Sequence, residues 1–124
     1  MKVGGFDLTD PLPELKDPHV IAMLRPWIDV GSVGTIALTK LERYFGAKEL
    51  GRIARPGNFY DFTRYRPVMR TIEGNRILNI PNTIINYAIR EEAPDFLFFH
   101  LLEPQSFGED YADSILEVLN KLQV

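Results

Sequence analysis

The chain has 124 residues, 45% hydrophobic, 25% charged and 11% aromatic, with a net charge of −3. Such values describe one globular domain and exclude a disordered tail, a collagen-like repeat and a coiled coil. Cysteine is absent, which excludes disulfides, thiolate catalysis and cysteine-ligated metal.

Taken in chain order, residues 1–15 read as an irregular N-terminal segment. Asp10-Pro11-Leu12-Pro13 suits neither a helix interior nor a central strand, because proline lacks the N–H and fixes φ. Met1 to Asp10 holds one lysine and no apolar run, so no secretory leader is expected. No window approaches the ~18 uninterrupted apolar residues of a membrane span; a cytoplasmic protein without membrane contact is the expectation. After Asp17-Pro18, the short apolar run His19 to Leu24 predicts a buried strand. Arg25-Pro26-Trp27 then turns the chain. Asp29 is a good helix N-cap, and Val33, Ile36, Ala37, Leu41 and Tyr44 recur at helical spacing, so a helix is predicted over Val30 to Phe45 and stopped by Gly46.

Glu49 to Ala54 predicts a strand that ends at Arg55-Pro56-Gly57-Asn58. Val68 to Ile72 and Arg76 to Ile80 flank Glu73-Gly74-Asn75, a hairpin signal. Thr83 to Arg90 reads equally as a strand or a short helix. Asp95 to Leu102 is the most apolar run and predicts a strand buried on both faces. Phe107 to Leu122 predicts an amphipathic helix. The order of strands and helices argues an α/β fold: three layers, α/β/α, with helices on the faces of a mixed, partly parallel sheet. The chain ends at Leu122-Gln123-Val124 directly off a helix, where a doubly wound fold would return to its sheet; the domain over residues 16–124 is therefore expected to be truncated at its C-terminal end.

The net charge hides a segregation. Arg25 to Arg76 carries ten Lys/Arg against five Asp/Glu, whereas the flanks carry four against twelve. A basic middle between acidic flanks suits contact with acidic segments of the same protein or of a neighbouring subunit. Nucleic acid is not the expected partner, because its affinity rests on phosphate neutralisation that the flanks oppose.

Four blocks in order resemble one family. Leu24-Arg25-Pro26-Trp27-Ile28-Asp29-Val30-Gly31-Ser32-Val33-Gly34 resembles the strand-to-helix crossing of the proteasome assembly chaperone 2 type family. Phe59-Tyr60-Asp61-Phe62 to Tyr65-Arg66-Pro67, then Ile80-Pro81-Asn82-Thr83 with Asn86-Tyr87-Ala88, and finally Phe96 to Glu103-Pro104 are similar to its later segments. Together they span about residues 16–124. The resemblance implies a phosphorylase- or hydrolase-like α/β/α fold, a homo-oligomer, and a non-enzymatic role in assembling proteasome-type rings. It also implies a chain about twice this length. Two departures stand at strand ends: Arg25 where the bacterial form has glycine, with no glycine between Pro26 and Trp27, and Gln105 in place of a histidine.

Candidate sites carry two readings each. Asp29 opens a helix after a strand; it caps that helix, or it lies at a ligand edge of the sheet. Glu103, at the end of the most apolar strand, is the sharpest candidate for a general base. Strand alternation sets it on the opposite face from His100, so those two are not expected to cooperate. His19 and His100 are the only histidines, and no metal site and no cofactor are expected. Arg66 reads as an anion clamp or as the partner of a nearby carboxylate. Asn82 and Thr83 either bind a ligand at the sheet edge or satisfy a turn. Trp27, Phe59, Tyr60, Phe62 and Tyr65 are the expected protein-contact surface. Protein contact and self-association are the leading expectation. The alternative is an enzyme or ligand binder with a strand-end cleft built from Asp29, Arg66, Asn82 and Glu103.

Overall fold

The computed structural model describes residues 1–26 and 32–124. Its elements in chain order are β1 (Lys2–Val3), β2 (Phe6–Leu8), β3 (His19–Arg25), α1 (Val33–Phe45), β4 (Lys48–Ile53), β5 (Val68–Ile72), β6 (Asn75–Asn79), β7 (Ile84–Ala88), β8 (Phe96–Leu102) and α2 (Gly108–Lys121). Six strands form one sheet in the order β1-β2-β4-β7-β8-β3; β5 and β6 form a separate two-stranded sheet. The sheet is mixed: β3 runs parallel to β8, and the other pairs are antiparallel.

Alternation along β8 assigns the layers. Leu97 and Phe99 belong to the core beneath α2, with Phe6, Leu50, Ile85, Tyr111 and Val118. Phe98, between them, packs with Leu38 of α1 and Ala88 on the other side. Successive strand side chains point to opposite faces, so one helix covers each face and the three-layer α/β/α arrangement follows. Leu97, Phe98 and Phe99 are all but inaccessible to solvent, as the continuous apolar run requires. Burial of each such side chain contributes about 1.5–3 kcal/mol.

The opening residues differ from the expectation of an irregular start. Lys2–Val3 and Phe6–Leu8 are strands, and β2 pairs with β4. The sequence signal is short, but Phe6 and Leu8 alternate with Asp7, and both apolar side chains are buried. The run His19–Arg25 is a strand, yet it lies at the sheet edge and pairs only with β8, so its residues are half-exposed or exposed rather than buried. A short apolar run does not distinguish an edge strand from a central one. The ambiguous stretch from Thr83 resolves to a strand, Ile84–Ala88, between β4 and β8. Helix α1 starts at Val33 with Ser32 in the N-cap position, and stops at Gly46, whose φ of 64° allows the left-handed turn.

Asp95 joins the amino ends of β3 and β8. Its side chain is inaccessible to solvent and accepts hydrogen bonds from the backbone N–H groups of Lys16 and Arg90, each at 2.7 Å. The Lys16 ammonium lies 3.5 Å away. Burial pushes the Asp95 carboxyl pKa up, but the two backbone N–H groups and the lysine outweigh it and hold the pKa below the ordinary value.

A candidate strand-end cleft and an exposed arm

The parallel pair β3 and β8 ends at Arg25 and Leu102, in register. Carboxyl ends of parallel strands are the customary ligand edge of an open α/β sheet. Beyond them, Glu103 donates its backbone N–H to the Arg25 carbonyl at 2.9 Å. The following loop is stapled to the segment after β4: the N–H groups of Gln105 and Ser106 donate to the Phe59 carbonyl, and Asp61 donates its N–H to the Gln105 Oε1 at 2.8 Å. The Asp61 carboxylate accepts from the Thr63 hydroxyl and backbone N–H at 2.6 and 2.9 Å, which hold its pKa below the ordinary value. Asp61, Arg64, Glu103, Pro104, Gln105 and Ser106 line an open cleft of about 620 Å³.

Of the residues singled out in the sequence, Glu103 lies in this cleft. Trp27 and Asp29 fall outside the described residues. Arg66 is exposed and makes no ion pair among the described residues. Asn82 and Thr83 are buried: the Asn82 side-chain amide donates to the Ile53 carbonyl at 2.9 Å, and its Oδ1 accepts from the Thr83 N–H at 2.8 Å. Phe59 and Tyr60 are buried in the core, and Phe62 and Tyr65 are half-buried against it. The Phe59 and Tyr60 rings both meet Tyr111 edge to face, with centroids 5.8 and 6.5 Å apart.

Tyr60, Thr83 and Tyr111 share a buried hydroxyl network. The Thr83 Oγ1 lies 2.6 Å from the Tyr60 Oη and 2.7 Å from the Tyr111 Oη, and accepts from the Leu102 N–H at 3.1 Å. Tyr60 donates to the Leu102 carbonyl at 2.8 Å. One proton per hydroxyl fixes the direction: Tyr111 donates to Thr83, Thr83 to Tyr60, and Tyr60 to Leu102. Burial raises the pKa of both phenols. Every polar atom of the network has a partner, so it ties α2 and the segment after β4 to the end of β8.

The structure separates His100 from Glu103, as strand alternation requires. His100 faces α1, where its Nε2 contacts the Glu42 Oε1; the other Glu42 oxygen accepts from the Asn86 side chain. Sequence reasoning missed this half-buried cluster. The signal was present: Glu42 interrupts the inward stripe of α1 between Leu38 and Phe45. Among the described residues, no group of three or more His, Asp or Glu is placed to hold a metal.

The second feature missed is the exposure of β5 and β6. The hairpin has the expected place, but its turn is Glu73-Gly74 alone: Asn75, expected in the loop, pairs with Ile72, and the register runs from Val68↔Asn79 to Ile72↔Asn75. Every residue in both strands is exposed. Val68, Met69, Ile72, Ile77, Leu78 and Ile80 are 42–59% accessible. Leu78 and Ile80 line a groove with Arg52, Ile53 and Ile84. The pair forms an arm standing off the main sheet.

Comparison with known proteins places this architecture. The model of the PAC2 family matches residues 23–124. A PAC2 family protein from Streptomyces avermitilis is 24% identical over 87% of this chain, with a TM-score of 0.78. A proteasome-assembly chaperone homologue from Mycobacterium tuberculosis is 26% identical over 85%, with a TM-score of 0.74. A protein of unknown function from Corynebacterium glutamicum is 18% identical over 96%, with a TM-score of 0.79. This chain spans 46%, 45% and 46% of those three in turn, less than half of each. No curated protein matches it. The six-stranded mixed sheet, its two helices and the match over residues 23–124 lead to one conclusion: the chain belongs to the PAC2 family, the proteasome assembly chaperone 2 type.

Proposed function

We propose that the protein is a non-enzymatic, assembly-chaperone-like protein that works in the cytoplasm by protein contact and self-association. The observation that carries this reading is the exposed arm. An isolated two-stranded hairpin is marginal in water, and apolar surface of this kind marks an interaction site. Family membership and the likeness to a proteasome-assembly chaperone homologue support proteasome-type subunits as the client. No helix among the described residues is long and apolar enough to cross a membrane.

Capture from the lysate of source cells, with the complete reading frame as tagged bait, tests the reading. Stoichiometric recovery of proteasome α-type subunits or of another assembly is the expected result; recovery of the bait alone overturns it.

The strand-end cleft favours a second reading, a small-ligand or enzyme site in which Glu103 acts as base and Arg64 or Arg66 holds an anion. Under that reading, ligand raises the unfolding temperature by mass action, and Glu103→Gln removes turnover. Under the leading reading, Glu103→Gln leaves partner binding unchanged.

A further inference from the structure

We infer that the β5–β6 arm of one copy docks on the outer face of α2 of a second copy; this rests on the self-association in the reading above. Three observations carry it. First, the arm is basic as well as apolar. From Arg64 to Ile80 it holds Arg64, Arg66, Arg70 and Arg76 against one acid, Glu73. Arg66, Arg70 and Arg76 make no ion pair among the described residues.

Second, α2 offers the complement. Its exposed face carries Glu109, Asp113, Leu116 and Glu117, positions at i, i+4, i+7 and i+8 that share one side of a helix. Leu116 is 55% accessible. The acids make no ion pair either, so basic arm and acidic helix do not neutralise each other within one copy.

Third, shape agrees with charge. Cross-strand partners share a face, so Val68, Arg70, Ile72 and Ile77 lie together on one side of the arm. Leu78 is on the other side, above the groove at Arg52 and Ile84. The first side is exposed along both strands. Each five-residue strand is about 17 Å long, and α2 with 14 residues is about 21 Å. Val68, Ile72 and Ile77 surround Leu116 in this contact, while Arg70, on the same side, meets Asp113 and Glu117; Arg76 pairs with Thr71 and lies on the other side. The contact joins two different surfaces, so it closes as a reciprocal two-fold pair, arm on helix and helix on arm, or repeats into a ring or chain.

Sedimentation velocity on the intact chain tests this with two charge-reversed proteins, Arg70→Glu in the arm and Asp113→Lys/Glu117→Lys in the helix. All three positions are exposed, and far-UV circular dichroism checks the fold. Each variant alone is expected to self-associate at least about tenfold more weakly. An equimolar mixture regains association, through the unmodified arm of one variant on the unmodified helix of the other and through the reversed arm on the reversed helix. Salt weakens the wild-type assembly, which reads the same contact without substitution. A chain that stays monomeric at every concentration overturns both this contact and the proposed self-association. An oligomer indifferent to salt and to both variants overturns the contact alone.

Discussion

Thr83→Val removes one oxygen and almost no volume, and it acts on three hydrogen bonds at once. The Thr83 hydroxyl accepts from the Leu102 N–H at 3.1 Å and from the Tyr111 hydroxyl at 2.7 Å, and donates to Tyr60 at 2.6 Å. Valine leaves the Leu102 and Tyr111 donors without acceptors in a site with no solvent exposure at residue 83. Tyr60 keeps its bond to the Leu102 carbonyl. Each stranded buried donor costs about 1–3 kcal/mol, so with two stranded donors the variant should lose about 2–6 kcal/mol. Thr83→Ser keeps the hydroxyl and loses one methyl, for about 1 kcal/mol. Urea unfolding followed by circular dichroism measures both. A valine variant within ~0.5 kcal/mol of wild type, or a serine variant as unstable as valine, refutes the accounting.

Two further outcomes follow from the same geometry. The folded-state pKa of Asp95 lies below its unfolded value, so its ionised form contributes stability that is fully present above the unfolded pKa and is lost as pH falls through the folded one. Asp95→Asn should flatten the acid limb of a stability–pH curve, and an unchanged limb contradicts the assignment. A Cβ at Gly51 would lie 2.3 Å from the Asp7 carbonyl oxygen and 2.9 Å from the Leu8 Cα. These are backbone atoms of the neighbouring strand, so Gly51→Ala should cost at least about 1–3 kcal/mol in thermal or urea unfolding; a neutral effect refutes the close approach.

The layers were legible in the sequence because they rest on period and length. The run from Phe96 to Leu102 required burial on both faces, and the glycine at 46 specified a helix end. The apolar stripe Val33, Ile36, Ala37, Leu41 and Tyr44 signalled the helix but is its exposed side, and the side chain it buries is Leu38. The edge position of β3 was not legible, since pairing partners are set by the whole sheet. The short strands at Lys2–Val3 and Phe6–Leu8 escaped for a related reason: two or three residues carry no period, and pairing with β4 defines them. Phe59, Tyr60, Phe62 and Tyr65 follow one another in a polar, basic stretch and read as surface, whereas the fold turns Phe59 and Tyr60 into the core beside Tyr111. The exposure of the β5–β6 hairpin was not legible either, because its alternation looks the same whether one face or neither is covered.

The central claim is that the protein acts by contact and not by chemistry at the strand-end cleft. Its most direct measurement is quantitative capture with three baits: wild type, Glu103→Gln, and an arm variant with Val68, Ile72 and Ile77 changed to serine. The account predicts equal partner recovery by wild type and Glu103→Gln, and its loss with the arm variant. Full recovery by the arm variant together with loss for Glu103→Gln would contradict it.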